Sequence, residues 1–184
     1  MAEYTMKAPL TPEDVDRLRA GDKVSLSGFI YTARDAAHKR LVELIKEGKP
    51  LPMPLEGQVI YYVGPSPTPP GPAIGSAGPT TSFRMDPYAP ILIERGLRGM
   101  IGKGERAAGV VEAMKRFGAV YFVATGGAAA LLSKRITAAE IVAYPELGAE
   151  AISKLTIVDF PVIVAQDRHG GNIYKEGQKR YARP

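Results

Sequence analysis

Residues 23–48 read KVSLSGFIYTARDAAHKRLVELIKEG, and two periodicities meet in that stretch. Over residues 23–31 the apolar side chains Val24, Leu26 and Ile30 fall at strand spacing. Over residues 35–47, Leu41, Leu44 and Ile45 share one face of a helix, and Gly48 stops it. Only Thr32-Ala33-Arg34 joins the two, a strand-to-helix junction of the kind at which α/β folds place ligand groups.

Working outward, Thr11-Pro12-Glu13-Asp14 predicts an N-cap with proline in the first helical turn and a short helix to Arg19. Residues 58–63 predict a buried strand. Of the 16 prolines, 11 lie between Pro50 and Pro90, so this segment is read separately. Its centre, Gly64-Pro65-Ser66-Pro67-Thr68-Pro69-Pro70-Gly71-Pro72, excludes an interior helix or a central strand. Strand-like sequence precedes it and a helix start follows, so it reads as a long ordered loop rather than a linker. Thr80 or Thr81 then caps a short helix, and residues 87–95 continue helically. A short strand (97–101), a helix (105–117) and a strand (119–124) come next. Gly126-Gly127 opens an alanine-rich helix ending near Lys134. Residues 140–144, 151–158 and 160–165 predict strands, and 174–184 a basic, loosely packed tail. Strands and helices alternate, but several strands follow one another directly. The expectation is one domain over residues 1–184, of α/β class with a mixed sheet and flanking helices.

Composition narrows the chemistry. The chain has 184 residues, enough to bury roughly 70% of its unfolded surface without staples. It has no cysteine, which excludes disulfides, thiolate-bound zinc, a cysteine nucleophile and thiolate ligation of an iron–sulfur cluster. With His38 and His169 as the only histidines, a multi-histidine metal site is out of reach. No apolar run approaches the roughly 20 residues of a membrane span. Met1-Ala2-Glu3-Tyr4 lacks the basic and apolar regions of a signal peptide, and a cytoplasmic location is expected. The net charge of +5 suits an anionic substrate and is too small to argue for nucleic acid.

Four stretches carry candidate chemistry. In Tyr31-Thr32-Ala33-Arg34-Asp35-Ala36-Ala37-His38, Arg34 is placed to hold an acid. Asp35 is placed to cap the helix or orient Arg34, and His38 follows one turn later. The alternative is a capped helix with an exposed basic face. In Gly78-Pro79-Thr80-Thr81-Ser82-Phe83-Arg84-Met85-Asp86, a glycine-containing loop enters a helix start. Two threonine hydroxyls and the fork of Arg84 complete a carboxylate site there. Alternatively Thr80 is only a cap and Arg84 solvated. Gly102-Lys103-Gly104-Glu105 offers a point charge between glycines without the spacing of a Walker loop. Thr125-Gly126-Gly127-Ala128 is either an anion-binding helix start or close packing of small residues. Three cations at strand-to-helix transitions suit a small dianion. No residue stands out as a base: the carboxylates Asp35, Asp86 and Glu105 are the candidates, and a complete active site on this chain alone is not expected.

Over residues 10–174 these motifs resemble the β subunit of class I fumarate hydratases and L-tartrate dehydratases, or the C-terminal half of the single-chain forms. The resemblance rests on Ser27-Gly28, Tyr31 to His38, Gly78-Pro79-Thr80-Thr81, Arg84-Met85-Asp86, Gly102-Lys103-Gly104 and Gly126-Gly127-Ala128-Ala129. Tyr144-Pro145-Glu146-Leu147-Gly148 and Asp159-Phe160-Pro161 complete it. It implies a swivelling β/β/α domain and a hydro-lyase that reversibly hydrates fumarate to L-malate. It also implies an α subunit whose three cysteines carry a [4Fe–4S] cluster, this chain binding none. The implied assembly is a hetero-oligomer, with a homodimer when the chain is isolated. A small dicarboxylate is the substrate, and neither nucleic acid nor membrane is a partner. Carried over by position, Arg34, Arg84 and Lys103 bind substrate carboxylate, and Thr80 takes the carbon-bound proton in the malate-to-fumarate direction. Ser82-Phe83 stands where the family usually has Ala-Gly, and Glu105 where it has Asn, which places a bulky ring and a negative charge beside the site. L-Tartrate dehydration and a non-catalytic swivel domain that binds an anion or a partner are the alternatives.

Overall fold

The computed structural model describes residues 1–125 and 127–182, without the side chain of Arg180. Seven strands form one sheet: β1 (Glu3–Ala8), β2 (Lys23–Thr32), β3 (Val59–Tyr61), β4 (Gly99–Gly102), β5 (Val120–Val123), β6 (Ile136–Ala143) and β7 (Ile152–Gln166). Strands β1 to β5 are successively parallel, and β7 runs antiparallel to β2, β5 and β6. Because β7 pairs with both β5 and β2, strands β2-β3-β4-β5-β7 close into a ring, with β1 and β6 as outer ribbons. The expected mixed α/β arrangement of the β/β/α class is what the chain adopts.

Alternation sorts the strand side chains into two cores. Leu26, Ile30, Tyr61, Ile101, Phe122, Phe160 and Val162 form the ring's filling. Their neighbours Tyr31, Ile60, Tyr62, Met100 and Tyr121 point the other way, against helices α2 (Asp35–Lys46), α3 (Ala89–Glu94) and α4 (Ala108–Phe117). Both faces of β3 are therefore buried, which is why residues 59–61 read as a continuous apolar run. Helix α2 buries Ala37, His38, Leu41 and Val42, one stripe at helical spacing. Helix α1 (Pro12–Arg17) starts as expected, with Thr11 and Asp14 closing a reciprocal capping box.

Several boundaries differ from the sequence reading. Strand β1 had no counterpart there. It lies so close to β2 that a methyl group at Gly28 would come within 2.3 Å of the Ala8 carbonyl oxygen. Residues 151–158 and 160–165 are one strand, β7, bent at Asp159, whose φ is +49°. Ser27 Oγ accepts from the Asp159 amide, and Ser25 donates to its carboxylate, which holds the bend. Helix α4 starts at Ala108 rather than residue 105. Helix α5 covers Ala129–Ser133, and Gly126, read as part of its start, lies outside the described residues. The stretch read as a tail forms helix α6 (Ile173–Tyr181), capped by Asn172, with Ile173 and Tyr174 against the second core. Arg183 and Pro184 lie outside the described residues.

The proline-rich segment is ordered as expected. Val63 bridges Pro79, Ser66 exchanges hydrogen bonds with Ser76, and the buried Tyr61 hydroxyl donates to the Ala77 carbonyl at 2.6 Å. These contacts return residue 80 to the same end of the sheet at which β3 left it.

Candidate functional site

The carboxyl ends of parallel strands β2, β3 and β4 open onto one edge, where α/β sheets present side chains from their loops. Arg34 leaves β2 through the buried Ala33 and stands at the N-cap of α2, its side chain making no cap hydrogen bond. The guanidinium is thus free to reach sideways. Its Nη2 lies 3.2 Å from Glu150 and its Nε 3.9 Å from Asp35 Oδ2. Gly64 makes room for it, since a Cβ there would sit 2.5 Å from Arg34 Nη1.

Thr80 is anchored by its amide, which donates to the Tyr62 carbonyl at 2.7 Å. The loop after β4 is zipped to it: the Lys103 amide donates to the Thr80 carbonyl at 3.2 Å, and the Ser82 amide donates to the Lys103 carbonyl at 2.9 Å. Thr81 and Lys103 form a parallel bridge. A short 3₁₀ helix, Ser82–Met85, then carries Arg84 outward, and its Nε donates to Asp35 Oδ1 at 2.8 Å. So Arg84 hydrogen-bonds one oxygen of Asp35 while Arg34 only faces the other, neither Arg34 Nε nor Asp35 Oδ2 having a hydrogen-bond partner among the described residues, and Thr80 and Lys103 share a backbone ladder one step along the sheet edge. Among the described residues the Thr80 hydroxyl and the Lys103 ammonium have no hydrogen-bond or ion-pair partner.

Ser82, placed by the sequence beside the site, is fully buried. Burial pushes the Tyr121 phenol far above its ordinary value, so it stays a donor. It donates to the Gly104 carbonyl at 2.8 Å and accepts from the Ser82 hydroxyl at 2.8 Å. This chain of hydroxyls clamps the lysine loop to the threonine loop. Phe83 instead projects into solvent, 62% exposed.

Of the carboxylates considered, only Asp35 faces the cations. Asp86 accepts from Arg106 Nε at 2.6 Å and from the Ala107 amide at 2.7 Å. Glu105 accepts from the Asn172 side chain at 2.8 Å, with Lys175 at 3.9 Å. Its charge is spent on the start of α6 rather than placed on the site. His38 is buried under Arg34, with its Nδ1–H donating to the Arg34 carbonyl at 2.9 Å and its ring edge-on to Tyr62. Burial pulls its pKa down to about 4, so the ring is neutral at pH 7 and serves the junction rather than a ligand.

Arg106 is the residue that sequence reasoning passed over. Its side chain is wholly buried between the rings of Tyr62 and Tyr121, at 5.2 and 5.1 Å, and paired with Asp86. The only hint in the sequence is its place at the end of Gly102-Lys103-Gly104-Glu105-Arg106, which nothing local marks as a core position.

Two comparisons decide the family. The family model described as "Fumarase C-terminus" matches residues 2–177. The chain belongs to that family. "Fumarate hydratase class I, anaerobic" of Escherichia coli (strain K12) is 43% identical over 156 residues, 84% of this chain and 28% of the relative. "Fumarate hydratase 2" of Leishmania major is 38% identical over 89% of this chain and 29% of its own length. "Putative L(+)-tartrate dehydratase subunit beta" of Methanocaldococcus jannaschii is 39% identical over 97% of this chain and 94% of the relative. The chain therefore spans under a third of those fumarate hydratases and nearly all of the tartrate dehydratase subunit.

This family member offers no thiolate to a cluster, having no cysteine. Among the described residues no group of three or more His, Asp or Glu side chains is placed to hold a metal ion. An iron–sulfur cluster does not fit this chain's own donors. Among the described residues no helix is long and apolar enough to cross a membrane.

Proposed function

We propose that this chain is the substrate-gripping half of an iron–sulfur hydro-lyase and serves the reversible hydration of fumarate to L-malate, with the cluster on a separate α subunit. The observation that carries the reading is the gathering of Arg34, Arg84, Thr80 and Lys103 on one sheet edge in a chain of the fumarase C-terminal family. Among the described residues the three cations outnumber the two carboxylates, Asp35 and Glu150, that touch them. That excess suits a dianion of four carbons.

In this reading the arginines fix the carboxylates, and Lys103 faces the charge that develops on one of them as the adjacent carbon loses its proton. With its hydroxyl proton already released to solvent, the Thr80 alkoxide takes the carbon-bound proton in the malate-to-fumarate direction and becomes the hydroxyl, which returns that proton in hydration. A threonine hydroxyl is a poor base alone, and the cations Arg84 and Lys103 lower the cost of its alkoxide. A cluster carried by that α subunit would supply Lewis-acid chemistry, and none of this chain's residues would hold it.

The test is anaerobic co-expression with a cysteine-bearing α subunit and parallel assays on fumarate, L-malate and L-tartrate. Fumarate–malate interconversion is expected, and no turnover of any of the three would sink the reading. Thr80→Ala is expected to abolish turnover, and a near-normal rate would remove Thr80 from the mechanism. L-Tartrate dehydration is the second reading. It is favoured by one observation, the near end-to-end match to the tartrate dehydratase subunit.

A further inference from the structure

Asp35 occupies an odd position for a site that holds dianions: a carboxylate set between two cations. Its Oδ1 accepts from Arg84 Nε at 2.8 Å, and its Oδ2 faces Arg34 Nε at 3.9 Å. The contact with Arg84 spans 49 residues of sequence and joins the first turn of α2 to the 3₁₀ helix after Thr80-Thr81. It uses the side of the Arg84 guanidinium and leaves the Nη1–Nη2 edge without a partner among the described residues. That end-on edge is the one that takes a carboxylate through two parallel hydrogen bonds. Glu150 plays the matching part for Arg34, taking Nη2 at 3.2 Å, and its other oxygen accepts from the Ala36 amide at 3.2 Å. Arg84 is exposed and otherwise has the rotamer freedom of any surface arginine.

We infer that Asp35 is a positioning residue: it holds Arg84 edge-on to the substrate and sets its spacing from Arg34, so that two guanidiniums meet the two ends of one diacid. The inference rests on the diacid reading proposed above. It makes a prediction of unusual sign. Taking a negative charge away from a dianion site should, on Coulomb attraction alone, tighten binding. A positioning role requires the reverse.

The experiment follows the Arg Nε–H signals of the full chain by NMR while fumarate, L-malate and L-tartrate are each titrated in. Saturable shifts of Arg34 and Arg84 are expected in the wild type. Asp35→Asn is expected to weaken the apparent Kd about tenfold, the scale on which loss of orientation acts. Asp35→Glu, which keeps the charge and both acceptor oxygens where asparagine keeps one neutral acceptor, is expected to recover most of that loss. In an Arg84→Ala background Asp35→Asn should change Kd much less than it does in the wild type, since the group it positions is gone. A general structural role would weaken binding equally in both backgrounds, and that result would overturn the inference. So would an Asp35→Asn chain that binds as tightly as the wild type or tighter. If the wild type shows no saturable shift with any of the three diacids, the diacid reading itself fails, and the inference falls with it.

Discussion

Two guanidinium–carboxylate constellations lie side by side in this fold, and they are built for opposite ends. In the closed one, Arg106 is enclosed by Tyr62 and Tyr121, its Nε is bonded to Asp86, and Asp86's other oxygen takes the Ala107 amide. In the open one, Asp35 stands between Arg34 and Arg84, and the Arg84 side chain remains 42% exposed. The closed pair fastens the start of α4 to the 3₁₀ helix and leaves no edge for a ligand. The open pair has unspent donors facing solvent. Charge does not separate the two, and neither does the fraction of donors satisfied, since Arg106 Nη2 and Arg34 Nε are each buried without a hydrogen-bond partner among the described residues; what differs is access, Arg106 being enclosed and Arg84 open to solvent.

The comparison breaks most sharply at the closed pair. Arg106→Leu leaves Asp86 buried against an apolar neighbour, and the expected loss is about 3–5 kcal/mol of folding stability, the usual result of removing one member of a buried pair. Denaturant unfolding measures it. A loss below about 1 kcal/mol would mean the two constellations are not different in kind. Arg34→Ala should do the opposite. Its stability change is expected within about 1 kcal/mol, because the pairs are partly solvated. Turnover in the assembled enzyme is expected to fall about 10²–10³-fold, as for loss of a charge-stabilising donor. Unchanged kinetics would exclude carboxylate binding by Arg34.

The same contrast explains which parts were legible in the sequence. Arg34, Thr80, Arg84 and Lys103 each lie within a short motif beside glycine, threonine or a helix start, so local reading could propose them, and the fold sets them along one sheet edge. The bond between Asp35 and Arg84 and the ring of side chains around Arg106 join segments far apart in the chain, and no local signal marks them. Strand β2 and helix α2 were readable because their apolar periods are strong. Strand β1 was not, since only Tyr4, Met6 and Ala8 of its six residues face inward and its partner lies across α1. Strand β7 was split in the reading because Asp159 and Pro161 look like a break. The fold absorbs both, with Asp159 in a left-handed conformation bonded to Ser27 and Pro161 opposite Ser25.

His38 sharpens the comparison from beneath, because it packs on Tyr62 of the closed pair and bonds the backbone of Arg34 in the open one. Its pKa is about 4 in the folded chain, against 6.5 as the ordinary value. Between these values the unfolded chain binds the extra proton, so folding stability falls as pH drops from 6.5 towards 4 and levels off below. At about 1.36 kcal/mol per unit the full loss approaches about 3 kcal/mol. Unfolding curves at pH 7, 5.5 and 4 (values chosen about the window in which a buried histidine acts) should show it. His38→Gln should flatten that part of the dependence. An equally steep fall in the variant would assign the acid lability to carboxylates elsewhere.

The smallest effect belongs to the contact where the two constellations touch. Tyr121 covers Arg106 with its ring and, through its hydroxyl, ties Gly104 to Ser82 on either side of Lys103. Tyr121→Phe keeps the ring and deletes only the tie, leaving one carbonyl and one buried hydroxyl to find other partners. The expected loss is about 1–2 kcal/mol of stability. If the tie also sets where Lys103 stands relative to Thr80, kcat should fall several-fold while KM stays nearly unchanged. A change in stability with kcat intact would place the hydroxyl chain with the closed pair, as part of the scaffold. A fall in both would show that the boundary between scaffold and site runs through a single oxygen atom.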